Sequence, residues 1–328
     1  MPQKQPVQSV AKVISENLEP NLNIESVTLG ELTWLNIEKP TTQETQYLAQ
    51  HYHFHTLDLD DTLSHLQRPK IDEYEDYLFI VLHFPVWHRE TQVATASQVS
   101  LFVGKNYVVT LHNGEIRLLG ELFQNCKNSD NARQENMSQG SAFLAYKIID
   151  ILVDRCFTIL DRILSWTDAV ENAVFDENIE VAVELAHLRR DVITHRRIIW
   201  SLRSVIGELE SKLRQFSGVD LEVYFGDVMD HLNKIWDSMD EVKETIEVFK
   251  DTDYVLSTDR LNRIMRTLTI ISTIMLPLIV LSGLWSMNIP LPLGADPGGH
   301  HYFFYIMVAI LLIVVGGMLY IFHRKHWI

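Results

Sequence analysis

The sequence predicts an α+β cytoplasmic domain, followed by long helices and closed by a two-helix transmembrane hairpin. Three observations carry this reading. First, two charge-free apolar runs, residues 268–285 and 302–322, lie near the end of the chain. About 20 helical residues at about 1.5 Å rise match the ~30 Å hydrocarbon core of a bilayer, so each run is long enough to cross one. Second, proline stands at positions 2, 6, 20, 40, 69 and 85 and then not again until 277. Helix interiors are where proline is least tolerated, so the long proline-free middle reads as helical. Third, segments rich in β-branched and aromatic residues precede that middle.

Taken in order, residues 1–140 are expected to form the cytoplasmic α/β domain. Residues 77–84 (YLFIVLHF), 99–103 and 107–111 (YVVTL) read as strands, with Gly104-Lys105-Asn106 as a hairpin turn. Residues 141–267 form the long-helix stalk. From Ser141 onward, Leu144, Ile148, Ile151, Leu152, Ile159, Leu160 and Ile163 recur at the three and four spacing of an amphipathic helix. A second helix is expected over about 179–216, broken by Ser217-Gly218-Val219-Asp220. A third starts near Tyr224 and meets no strong stop before Gly283, which makes it roughly 60 residues and roughly 90 Å long. Helices of that length need partners to pack against, so a bundle and an oligomer are expected. The first span, 268–285, continues this helix. Residues 286–301 form an outer loop, 302–322 the second span and 323–328 a basic tail.

The basic residues orient the hairpin. Arg260, Arg263 and Arg266 precede the first span, Arg324 and Lys325 follow the second, and the loop between holds no Lys or Arg. Both termini are therefore expected on the cytoplasmic side of the cell (inner) membrane. Met1-Pro2-Gln3-Lys4 is not followed by an apolar stretch, so the C-terminal spans themselves are expected to direct insertion. The only cysteines are Cys126 and Cys156, in no paired spacing, which argues against a disulfide framework or a zinc ribbon.

Net charge is −15, and after Thr267 the formal charges are Asp296, Arg324 and Lys325 alone, which leaves −16 on the preceding residues. An acidic body beside a membrane repels nucleic acid and gathers cations. No Gly-rich phosphate loop, GxSxG elbow or HExxH is present, so no enzyme is expected. His51, His53 and His55 could share one face of a strand, but without a fourth ligand they read as exposed histidines ahead of a helix. Glu184 with His187, and Asp191 with His195, read as solvated helix faces. The stronger signals are carboxylates: Asp58, Asp60 and Asp61 at a helix start, and Asp227 with Asp230 opening the long helix. Together such groups could hold a hard cation; sequence alone leaves them apart. In the first span Met265, Leu268, Ser272, Leu276, Ile279 and Gly283 share one stripe, and Asn288 offers an uncharged oxygen acceptor at the outer end.

Read together, these residues resemble the CorA family of divalent metal ion transporters, which also includes the ZntB zinc transporters. The resemblance spans essentially the whole chain. It rests on Leu66-Gln67-Arg68-Pro69-Lys70 with residues 77–82 after it, Tyr224-Phe225-Gly226-Asp227-Val228, residues 262–277, Ser286-Met287-Asn288 and the basic-aromatic end at 324–328. It implies a funnel-shaped homopentamer with the first span lining a pore. Pore positions fall on Asn262, Met265, Leu268, Leu276 and Ile279, and the pore mouth on Ser286, Met287 and Asn288, with Asn288 binding the hydrated ion. The resemblance further implies a regulatory metal site made by Asp60 and Asp61 of one subunit with Asp227 of its neighbour. Substrate and regulator would be Mg²⁺, with Co²⁺ or Ni²⁺ as further substrates, and no organic cofactor is implied. The chain departs from the family at Ser286, where the family has Gly, and at Trp285, where Tyr is common. It also departs at Ile279, where a subset has a hydroxyl, and in an outer loop that carries Asp296, His300 and His301 in place of Met-Pro-Glu. The imidazoles keep a zinc transporter, coupled to protons, as an alternative; a membrane-anchored metal sensor or scaffold is the alternative outside transport.

Overall fold

The structure is a computed structural model and describes residues 22–64, 67–88, 90, 93–176, 179, 181–286 and 302–327. It divides into two compact units, residues 1–250 and 251–328.

The first unit is built on a mixed six-stranded sheet. Its strands are β1 (Glu25–Leu29), β2 (Leu32–Glu38), β3 (Lys70–Glu73), β4 (Tyr77–His88), β5 (Val93–Gly104) and β6 (Tyr107–His112), in the order β1-β2-β6-β5-β4-β3. The β2–β6 pair is parallel and the rest antiparallel. The expected strands at 77–84, 99–103 and 107–111 are the inner parts of β4, β5 and β6. Their unbroken apolar character has a physical cause, since both faces of the sheet are covered. On one face Leu78, Ile80, Leu82, Val99, Leu101 and Val108 join the helical core. On the other, Phe79, Val81, Phe102 and Val109 form a second cluster with Tyr47, Leu48, Phe54 and Leu59. Gly104 closes the β5–β6 turn because a Cβ there would run into the Tyr107 ring. The edge strand β3, sequence KIDE, is short and charged, which guards its free backbone groups against further pairing.

Helices α1 (Thr42–Tyr52) and α2 (Thr56–Leu63) cover the second face. Thr41 and Glu44 form a capping box that starts α1. Helices α3 (Arg117–Asn128) and α4 (Asp130–Met137) lead into three long helices: α5 (Ser141–Val174), α6 (Ala182–Leu213) and α7 (Glu222–Ser286), the last 65 residues long. A short 3-10 turn, Arg214–Phe216, carries the chain out of α6.

The buried positions of α6 are Leu185, Leu188, Val192, His195, Ile199, Leu202, Ile206, Leu209 and Leu213, with Asp191, Ile198 and Val205 alongside. Those of α7 are Phe225, Val228, Leu232, Ile235, Met239, Val242, Ile246 and Phe249. Both series alternate steps of three and four, the heptad seam of a coiled coil. Ion pairs fix the helices across it: Arg189 lies 3.0 Å from Glu247, and Arg196 pairs with Asp240 while its guanidinium covers the Trp236 ring. One expectation is overturned here. Asp191 and His195 do not face solvent; they are 1% and 2% exposed, because the seam of α6 that carries His195 also packs against β4 and β5.

Helix α7 continues without a break into the second unit, where α8 (Tyr302–Arg324) is the other helix. The apolar stretch of α7 has a mean hydropathy of 2.0 with none of it buried, and that of α8 has 2.6 with 6% buried. A core helix of a water-soluble protein hides such a surface; here most of it is exposed and the rest only half-buried, as a bilayer or partner helices require. Pro277 sits inside α7. The hydroxyls of Thr269, Ser282 and Ser286 donate to the carbonyls of Met265, Ile279 and Gly283, so they carry no unmet polar group into apolar surroundings.

Candidate metal centre and ion path

Asp227 is on the first turns of α7, and Asp150 lies on α5, which runs parallel to α7 at this point. Tyr146 packs on Phe225, and Phe157, about three turns along, meets His231 edge-on. Four residues after Asp227, His231 projects from the same face of α7. Ligand atoms of Asp150, Asp227 and His231 all lie within 4.8 Å of one another, and among the described residues no other group of three such side chains comes so close. His231 Nε2 is 3.9 Å from Asp227 Oδ2, and Nδ1 is 3.2 Å from Asp154 Oδ1 without an aligned hydrogen bond. Tyr146 donates its hydroxyl to Asp150 Oδ2 at 3.3 Å.

Burial holds the Asp150 carboxyl above the ordinary range, and the charges of Asp154 and Asp227 add to the effect against the Lys147 ammonium and the Tyr146 hydroxyl. Crowded carboxylates of this kind gain by sharing a cation. The donor set of two carboxylates and an imidazole suits a divalent ion, and the nitrogen widens it to transition metals. Sequence reading found Asp227 but missed Asp150, Asp154 and His231. The i, i+4 pairs Asp150/Asp154 and Asp227/His231 were visible as facing positions on two helices, but only the fold brings the helices together.

The other acids sit on α2. Asp58 is buried and accepts from the Tyr77 hydroxyl at 3.2 Å. It is the only acid in the first turn of α2, so the expected grouping of all three at the helix start holds for Asp58 alone. Asp60 is exposed, and Asp61 Oδ2 lies 2.7 Å from Lys70 Nζ. Lys70 also reaches Asp72 Oδ2 at 2.5 Å and sits over the Phe79 ring at 5.3 Å. Burial works against the Lys70 charge, but the hydrogen bonds to Asp61 and Asp72 outweigh it and push the ammonium above its ordinary value. Among the described residues, no hydrogen bond or ion pair within the chain joins Asp60 or Asp61 to Asp227.

The histidine cluster takes a different form from the strand considered above. His51 lies in the last turn of α1, His53 ends that helix with φ of 58°, and His55 caps α2, its Nδ1 accepting from Leu57 N at 3.2 Å. Glu184 and His187 are exposed, as expected.

On α7, Asn262, Met265, Leu268, Leu276 and Ile279 fall within an arc of about 120° at 3.6 residues per turn. Ser272 and Gly283 fall in the same arc, whereas Arg260, Arg263 and Arg266 project from the rest of the circumference. The stripe is exposed and free of charge. Ser286 ends α7 in helical conformation with its hydroxyl on the Gly283 carbonyl, so its Cβ causes no backbone strain. Met287 and Asn288 lie outside the described residues.

Comparisons with known proteins give the family and the fold. The cobalt/magnesium transport protein CorA of Thermotoga maritima is 30% identical over 259 residues, covering 78% of this chain and 73% of that one. The zinc transport protein ZntB of an Enterobacter species is 22% identical over 298 residues, covering 90% and 88%. The complete structure of the CorA magnesium transporter from Methanocaldococcus jannaschii superposes with a TM-score of 0.76 at 21% identity, over 93% of this chain and 94% of that one, which establishes the fold. The family described as CorA-like Mg²⁺ transporter protein matches residues 30–324. With its α+β sheet domain, long helices and two C-terminal apolar helices, the chain belongs to that family and is a divalent cation transporter of the CorA type.

Proposed function

We propose that the protein is a Mg²⁺ channel of the cell membrane, assembled from five copies, that closes when cytoplasmic Mg²⁺ fills acidic sites between subunits. The observation that carries this reading is the single helix α7. It holds Asp227 inside a metal-capable group near its start and, further along, an exposed face without formal charge. In this reading that face, Asn262, Met265, Leu268, Leu276 and Ile279, lines the pore. Its apolar positions gate by dewetting, and Asn288 at the mouth accepts the hydrated ion. Residues 1–140 and 141–267 form the cytoplasmic domain and stalk, 268–285 and 302–322 span the membrane, and both termini are cytoplasmic. Asp60 and Asp61 of one subunit with Asp227 of the partner subunit form the regulatory site, and metal there favours the closed state by binding it more tightly than the open one.

Flux of Mg²⁺ into proteoliposomes tests the pore. Asn288→Ala is expected to reduce it severalfold while the oligomer stays intact; unchanged flux would remove Asn288 from the entrance. The His231 nitrogen in the metal-capable group, with His300 and His301 in the outer loop, favours a second reading as a zinc transporter. Parallel Mg²⁺ and Zn²⁺ flux, with and without a pH gradient, separates the two.

A further inference from the structure

We propose that the Lys70 ammonium is the resident counter-ion of Asp61, and that a divalent cation closes the regulatory site by displacing it. The inference rests on the reading of Asp61 as a regulatory ligand and adds what holds that ligand when no metal does. Lys70 opens edge strand β3, and Asp72, two residues on, faces the same way by the period of the strand. The ammonium is clamped between Asp61 Oδ2 at 2.7 Å and Asp72 Oδ2 at 2.5 Å, above the Phe79 ring, with its side chain 34% exposed.

Such a clamp has two consequences. An ammonium on Asp61 screens the carboxylate and repels an arriving divalent ion, so the site fills only when the cation is abundant. Asp72 gives the displaced ammonium somewhere to stay. Lys70 can move wholly onto Asp72, so the exchange leaves no charge unpaired. A monovalent cation, with half the charge, competes poorly for the same carboxylate. Lys70 therefore sets the divalent concentration at which the site fills; it positions and neutralises Asp61 and is not itself a ligand.

The test uses the full chain in proteoliposomes, titrated with MgCl₂ at constant ionic strength. It reads both Mg²⁺-dependent protection of the cytoplasmic region from protease and closure of the flux. Lys70→Met keeps the apolar stem and removes the charge. Its Mg²⁺ midpoint is expected to fall roughly three- to tenfold, the Coulomb effect of one charge about 5 Å from a divalent ion after salt screening. Lys70→Arg is expected to stay within about twofold of the parent. On an Asp61→Asn background, Lys70→Met is expected to have no further effect, since coupled residues do not add. An unchanged or raised midpoint in Lys70→Met, or the same fall on the Asp61→Asn background, overturns the proposal. Lys70→Gln gives the same readout should the Met variant fold poorly. Asp227→Asn separates the two levels. If it leaves the titration unaltered, the regulatory reading falls and the counter-ion role with it; if it shifts the titration and Lys70→Met does not, the counter-ion role alone falls.

Discussion

His112 shows how one buried residue ties stability to pH. It sits on β6, paired in parallel with β2, and is 3% exposed. Both ring nitrogens are committed: Nε2 donates to Asn36 Oδ1 at 3.2 Å, and Nδ1 accepts from Gly114 N at 3.1 Å. A proton added at Nδ1 would meet an N–H, so this arrangement admits only the neutral ring. Burial pushes the pKa down to about 4 from 6.5, against the raising effect of Glu38. The unfolded chain takes up the proton near pH 6.5 while the native one does not. The stabilisation is therefore complete above pH 6.5 and is lost as pH falls towards 4, with a ceiling of about 3 kcal/mol. His112→Gln, which keeps a donor for Asn36, is expected to flatten the fall of the thermal midpoint of the full chain in detergent between pH 6.5 and 4.5. An unaltered slope would assign the acid sensitivity to other groups. At the same scale, Ser286 resolves a tension in the sequence. Its departure from the family's glycine would matter if the turn required a left-handed residue, but Ser286 is helical, so the substitution adds a hydroxyl to the helix end and no strain.

At the scale of elements, the heptad seam explains both what was legible and what was not. Leucine and isoleucine at three and four spacing announced α5, the break at Ser217-Gly218 separated α6 from α7, and the lack of a stop signal before Gly283 gave α7 its length. His195 occupies a seam position that an aliphatic residue would fill. Its Nδ1 bonds the Asp191 carbonyl at 2.9 Å, while Nε2 is buried without a partner. His195→Leu is expected to raise the thermal midpoint, worth about 1–2 kcal/mol, because an apolar side chain replaces an unsatisfied polar atom. A lower midpoint would show that the imidazole has a partner that Leu cannot replace. Asp191 and His195 read as solvated because polar residues at i, i+4 usually are; burial against β4 and β5 is a tertiary fact with no local signal. The strands show the converse. β4 to β6 were readable from their apolar runs, but β1 and β3, short and flanked by charge, gave no such pattern. The metal-capable group was half legible. Asp227 could be named, yet Asp150 is 77 positions away and comes beside it only when α5 and α7 pack in parallel.

Across the whole molecule, charge and apolar surface are segregated: −16 lies before residue 268, and two apolar helices with no formal charge until Arg324 follow it, apart from Asp296 in the loop. Such an asymmetry gathers cations beside the membrane, since an acidic body raises their local concentration. Concentration alone does not gate a pore; a bistable element with different metal affinity in its two states does. Helix α7 is the element common to both units, and in the proposed reading it carries the effect of metal at Asp227 to the segment with Met265 and Ile279 without a side-chain relay. Asp227→Ala is therefore expected to separate transport from regulation. Mg²⁺ flux should persist, while the internal Mg²⁺ needed to close the channel should rise about tenfold or more, the effect of losing about 1.4 kcal/mol of preferential binding to the closed state. Patch recordings with stepped internal Mg²⁺ give both quantities from one preparation. Equal sensitivity in parent and variant would mean that Asp227 does not read the ion, and a loss of flux with unaltered sensitivity would place Asp227 in conduction instead.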